Sequence, residues 1–162
     1  MKTPRIGTLA PNFNLTAHNG RMFNLFDELK NGPVVLVFYP MNGSPNCDQL
    51  LCNINADVDE FRAAGLNIVG INFAEPDEHD NYRKSKFLRM VLLSDENFRV
   101  SESYDCLFSI GPIKVIRYSV AGIGTDGLIK YFERGRPTNQ QIIAGMALPH
   151  TSDTSISQSL LQ

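Results

Sequence analysis

Two cysteines, Cys47 and Cys52, stand five residues apart in the segment Pro40-Met-Asn-Gly-Ser44-Pro45-Asn-Cys47-Asp-Gln-Leu-Leu-Cys52. Ser44 has the form of a helix N-cap, and Pro45 suits the first helical position, where its fixed φ fits and its missing N–H costs nothing. Cys47 then falls in the first turn. Free N–H groups and the positive end of the helix dipole favour a thiolate there, the nucleophilic form of cysteine. Cysteines at i and i+5 of a helix point roughly 140° apart, with about 8 to 9 Å between Cα atoms. A disulfide rarely tolerates more than about 7 Å. Pairing of the two therefore requires the first helical turns to unwind.

The flanking sequence supplies the elements that hold this segment. Val34-Val-Leu-Val-Phe-Tyr39 is a short apolar, β-branched and aromatic run ending at Pro40, the pattern of a strand covered on both faces. Its C-terminal end is where open α/β sheets place their chemistry. From Cys47 onward, Leu50, Leu51, Ile54, Val58 and Phe61 recur at helical spacing, predicting one amphipathic helix that ends near Ala64-Gly65. A second strand is expected over residues 67–73, which makes a βαβ unit. Upstream, residues 12–16 and 22–25 flank Asn19-Gly20 and predict a β-hairpin. Downstream, Pro76 opens a helix, residues 90–93 form a strand and 97–104 a short helix. Residues 114–120 and 128–132 read as two strands joined through Gly124-Thr-Asp-Gly127. The last helix starts at Thr138, whose pairing with Gln141 has the form of a capping box. This order is that of a thioredoxin-like α/β fold, a central mixed β-sheet flanked by helices with an N-terminal β-hairpin. Residues 1–146 are expected to form the domain, and 147–162 a polar, mobile tail.

Composition narrows the function classes. The 162 residues are 43% apolar, enough for one domain with its own core. A net charge of −2 and the lack of any basic run argue against nucleic acid as a partner. No stretch approaches a membrane span or a signal-peptide core, so the expected compartment is the cytoplasm. Three cysteines are too few for a disulfide scaffold and read as catalytic, redox or metal-binding. His18, His79 and His150 lack metal-ligand spacing with any cysteine, so neither metal nor cofactor is expected. Cys106, after a short helix, reads as a packed apolar residue, and a buried apolar role is open for Cys52 as well.

The block Pro40-x-x-x-Ser44-x-x-Cys47 resembles the active-site signature of the peroxiredoxins. The spacing to Cys52 resembles the Q-type, or bacterioferritin-comigratory-protein, branch. Gly7-x-x-Ala10-Pro11-x-Phe13-x-Leu15 and Leu92-Leu93-Ser94-Asp95 also match family positions, so the likeness spans roughly residues 5 to 146. It implies a thiol-dependent peroxidase acting on hydrogen peroxide or alkyl hydroperoxides. Cys47 would be the peroxidatic cysteine and pass through a sulfenic acid, Cys52 would resolve it as an intramolecular disulfide, and a thioredoxin-like or glutaredoxin-like donor would reduce the pair. Ser44 would hydrogen-bond the peroxide or thiolate, and Pro40 would shield the pocket. A monomer or weak dimer is expected.

A fixed cation beside the thiolate is also expected. Arg117, in an otherwise apolar predicted strand, resembles the family's active-site arginine; the alternative is an edge-strand arginine pointing to solvent. Three departures from the family pattern touch the pocket. Leu50 stands where an acidic or amide residue commonly orients the arginine, Gly43 replaces a bulky side chain, and the tract from Arg117 to Gly127 is one residue longer than expected, room for a bulge. They leave open a second reading, a thioredoxin-fold redox sensor or partner-binding protein without fast turnover.

Overall fold

Five consecutive apolar residues, Val34–Phe38, form β3, and every one of them is buried. Their side chains alternate between two separate cores. Val34, Leu36 and Phe38 join one cluster with Phe13, Leu25 and Tyr104. Val35 and Val37, followed by Tyr39, join the other with Cys47, Leu51, Ile54 and Phe61. A strand covered on both faces is what a continuous apolar run predicts, and each such buried side chain contributes about 2 kcal/mol.

The computed structural model describes residues 3–147. Strand β3 pairs in parallel with β4 (Asn67–Asn72) and antiparallel with β8 (Ser119–Ile123). Outward from β4 come β5 (Val91–Ser94), β1 (Asn14–Ala17) and β2 (Met22–Asn24); outward from β8 comes β9 (Ile129–Arg134). The sheet order is β2-β1-β5-β4-β3-β8-β9, so the N-terminal hairpin is part of the main sheet, joined to β5. Its turn holds Gly20 at φ +81°, a backbone that glycine adopts without strain. A short helix, α1 (Leu25–Glu28), and a 3-10 turn (Leu29–Asn31) lead into β3.

The single helix expected from Cys47 to Ala64 is two. α2 runs over Pro45–Ala56 and α3 over Val58–Ala63, with Asp57 at φ −108° and ψ 18° between them. Asp is a poor residue for a helix interior because its short carboxylate competes for local hydrogen bonds. Here that carboxylate is taken by Asn139 Nδ2 at 2.7 Å. α4 (Pro76–Ser85) and α5 (Arg99–Ser103) follow where expected.

The strand expected over 114–120 is also split. β7 (Ile113–Ile116) pairs with β6 (Leu107–Ile110) in a separate two-stranded ribbon, and β8 begins only at Ser119. At the break the Arg117 N–H donates to Cys106 O at 2.7 Å, turning the chain from the ribbon into the main sheet. Between β8 and β9 the register slips at Gly122/Ile123, leaving Lys130 of β9 unmatched; the extra residue of this bulge lies on β9, outside the Arg117 to Gly127 tract where room for one was expected. The last helix, α6 (Asn139–Ala147), carries the expected capping box: Thr138 N–H donates to Gln141 Oε1 at 2.8 Å and Gln141 N–H to Thr138 Oγ1 at 3.1 Å. Ala147, assigned to the tail, belongs to this helix, and the remainder of that tail lies outside the described residues.

Candidate active site

The chain leaves β3 through Tyr39 and Pro40 and re-enters regular structure at Ser44, the N-cap of α2. Gly43 makes that entry with φ +91°, so a bulky side chain is excluded there by backbone strain. Ser44 Oγ accepts from the Cys47 N–H at 3.4 Å, and Pro45 occupies the first turn, as the residue types require. Cys47 is wholly buried on the Val35, Val37 and Tyr39 face of the sheet. Its Sγ lies 3.1 Å from Tyr118 Oη. Burial, and then the Cys47 sulfur itself, push the Tyr118 phenol up to about 12, with Arg136 and the Ser44 hydroxyl pulling the other way. The phenol therefore keeps its proton at neutral pH and is able to donate a hydrogen bond to the Cys47 sulfur.

Tyr118 is a site residue that the motif reading did not single out. The signal was present in the extra residue of the tract: counted back from the Asp126-Gly127 turn at the expected length, the expected arginine position falls on 118 and not on 117. Arg117 itself is exposed between β7 and β8, its guanidinium 5.3 Å from the Phe108 ring centre. Among the described residues no hydrogen bond or ion pair joins it to Cys47. Arg117 and Pro40 instead line one cleft of about 520 Å³ with Phe108, Tyr118 and Arg134. Over the phenol ring stands Arg136, with its guanidinium 5.3 Å from the Tyr118 ring centre.

Cys52 is exposed and free on the same helix as Cys47, so it is not the buried apolar residue that was the alternative. Cys106 is the packed residue expected: it is wholly buried, burial pushes its thiol up to about 11, and its Sγ donates to Tyr104 O at 3.3 Å. Among the described residues no group of His, Cys, Asp and Glu side chains is arranged to hold a metal ion.

A buried polar network fixes the loop between Pro40 and Ser44. Asn42 Oδ1 accepts from Tyr39 Oη at 2.7 Å and from Asn72 Nδ2 at 3.1 Å, while Asn42 Nδ2 meets His79 Nδ1 at 3.1 Å. With Nδ1 accepting, the other ring nitrogen of His79 donates to Leu93 O at 3.0 Å. Burial lowers this histidine to about 4, so the ring is neutral at physiological pH. At the next position, Asp48 is held ionised by the Tyr82 hydroxyl first and by Lys86 as well. The sequence offered His79 only as a histidine without metal-ligand spacing; its ring partners, Asn42 and Leu93, come from two distant segments, which no local motif reveals.

A mixed sheet that delivers a cysteine into the capped first turn of a helix, at the end of a central strand, defines a protein of thioredoxin-like fold with a thiol at its helix start. The AhpC/TSA family pattern matches residues 6–132, and the chain belongs to that family. It is 31% identical over 104 residues to Peroxiredoxin Bcp of Escherichia coli K12, a match covering 64% of this chain and 66% of that protein. It is 34% identical over 98 residues to the chloroplastic Peroxiredoxin Q of Oryza sativa subsp. japonica, covering 60% of this chain and 45% of the rice protein. The matches thus span just under two thirds and under half of those relatives. Among solved structures, peroxidoxin BcpB from Mycobacterium tuberculosis superposes with a TM-score of 0.83 at 21% identity, over 91% of this chain and 99% of that one. Xanthomonas campestris Peroxiredoxin Q gives 0.76 at 20% identity, over 83% and 89%. These neighbours share the fold.

Proposed function

We propose that the chain is a thiol-dependent peroxidase that reduces hydrogen peroxide and alkyl hydroperoxides. The observation that carries this reading is the position of Cys47, in the first turn of α2 with Ser44 as N-cap and a proton-bearing phenol 3.1 Å from its sulfur. Helix N–H groups and a neutral donor both favour the thiolate over the thiol.

The thiolate attacks the terminal oxygen of the hydroperoxide. An S–O bond forms as the O–O bond breaks, sulfur is oxidised to a sulfenic acid, and the departing oxygen leaves with the electron pair and takes up a proton as water or alcohol. In this reading Ser44 hydrogen-bonds the incoming oxygens. Pro40, which offers no competing N–H, forms a wall of the approach cleft, and Arg117 acts at the rim of that cleft. Cys52 then displaces hydroxide from the sulfenic acid to give a disulfide, and a thioredoxin-like or glutaredoxin-like donor returns both thiols. This reading places the protein, as a monomer or weak dimer, in the reducing cytoplasm.

Full burial of Cys47 favours a second reading, a slow redox sensor of the same fold. Steady turnover of hydrogen peroxide with a thiol donor supports the enzyme; a single slow oxidation with no turnover supports the sensor. Placement of the first intermediate is tested by oxidising Cys52→Ser and trapping the sulfenic acid with a carbon nucleophile. The adduct is expected on Cys47, and its absence there would overturn the proposal.

A further inference from the structure

We propose that Tyr118 is a catalytic residue of this site, its phenol being the donor that holds the Cys47 thiolate, with Arg136 supplying positive charge through the phenol ring. Three observations converge on it. Tyr118 Oη is the side-chain partner of Cys47 Sγ, at 3.1 Å. The guanidinium of Arg136 sits over the face of that ring, 5.3 Å from its centre. A cation there is attracted by the ring's negative face and draws electron density from it, which makes the hydroxyl a stronger hydrogen-bond donor. Leu50 and Tyr118 both pack against the apolar cluster that holds Cys47, so the ring approaches the sulfur from an apolar surface.

The other ionisable and charged groups of the adjoining elements have partners of their own. Asp48 is paired with Tyr82 and Lys86. Tyr39 donates to Asn42, and Arg117 lies over Phe108. Arg134 is bound to Ser119 Oγ at 2.8 Å and Asp105 at 3.4 Å. A neutral donor backed by a stacked cation thus does at this sulfur what a guanidinium in direct contact would otherwise do. Burial keeps the phenol protonated across the pH range in which a thiol titrates.

The assignment deepens the peroxidase reading, since it concerns the same sulfur, but it is tested without peroxide. In a Cys52→Ser/Cys106→Ser background only Cys47 titrates, and its thiolate is followed by ultraviolet absorbance against pH. Tyr118→Phe keeps the ring and its packing, with the fold checked by circular dichroism. The midpoint of thiolate formation is expected to rise by about one pH unit in this variant. Arg136→Met, at an exposed position, is expected to raise it by a smaller amount and to add nothing in combination with Tyr118→Phe. An unchanged midpoint in Tyr118→Phe would overturn the donor assignment. An Arg136→Met shift that is absent, or equal with and without Tyr118→Phe, would overturn the role of the ring. Expected shifts in a protein that turns over no peroxide would overturn the peroxidase reading alone.

Discussion

Cys47 and Cys52 lie on one unbroken helix, Pro45–Ala56, the first wholly buried and the second exposed. A disulfide between them cannot form on that helix, because an i, i+5 pair is held about 8 to 9 Å apart at Cα. The C-terminal half of α2 is anchored: Asn139 Nδ2 donates to Asn53 O at 3.0 Å, and Asn55 Oδ1 accepts from the Arg89 N–H at 2.6 Å. Unwinding is therefore expected in the first two turns only. After one equivalent of peroxide, hydrogen exchange should speed up over residues 47–52 and stay slow over 54–56. A disulfide-bonded protein with unchanged protection at 47–52 would contradict this coupling.

Ser44 caps α2 by accepting from the N–H of Cys47, the residue whose sulfur the proposed reaction uses. Ser44→Ala removes the cap oxygen, at a cost of about 1 kcal/mol in stability by thermal unfolding. It also removes a hydroxyl from the peroxide site, and loss of one such bond to a charged group should slow oxidation of Cys47 by about tenfold. Ser44→Thr keeps the oxygen and should recover both. Equal oxidation rates for Ser44→Ala and wild type would show that the serine only caps the helix.

His79 makes stability depend on pH with a definite sign. Its folded value, lowered by burial from 6.5 to about 4, means that the unfolded chain binds a proton in this window and the folded chain does not. Stability from this group is complete above pH 6.5 and is lost as pH falls towards 4. The loss is on the order of 3 kcal/mol. Because the ring bonds Asn42, the same fall should loosen the active-site loop. Denaturant unfolding at several pH values checks it: His79→Gln should flatten the slope between pH 4 and 6.5 relative to wild type, and an unaltered slope would place the titration elsewhere.

Much of this arrangement was legible in the chain. A five-residue apolar run, a Ser-Pro helix start, an Asn-Gly turn and a Thr138/Gln141 capping box are local signals, and each formed the expected element. What local pattern could not show came from long-range partners. The β6 strand has half its residues exposed and no apolar alternation, and it forms by pairing with β7. The break at Asp57 depends on Asn139, over 80 positions away. Arg117 and Tyr118 are adjacent, so a one-residue difference in where the chain re-enters the sheet decides which of them faces the sulfur. The bond from the Arg117 N–H to Cys106 O and the start of β8 at Ser119 set that phase, and neither is a property of the motif itself.

The central claim is that the Cys47 sulfur is held ready as a thiolate and is oxidised rapidly by hydroperoxides. Rapid-mixing measurement of hydrogen peroxide consumption by the reduced protein, beside Cys47→Ser and Cys52→Ser, tests it most directly. The account predicts a fast stoichiometric loss of peroxide in wild type and Cys52→Ser, absent in Cys47→Ser, with turnover under a thiol donor only where Cys52 is present. Equally slow consumption by all three proteins would contradict it.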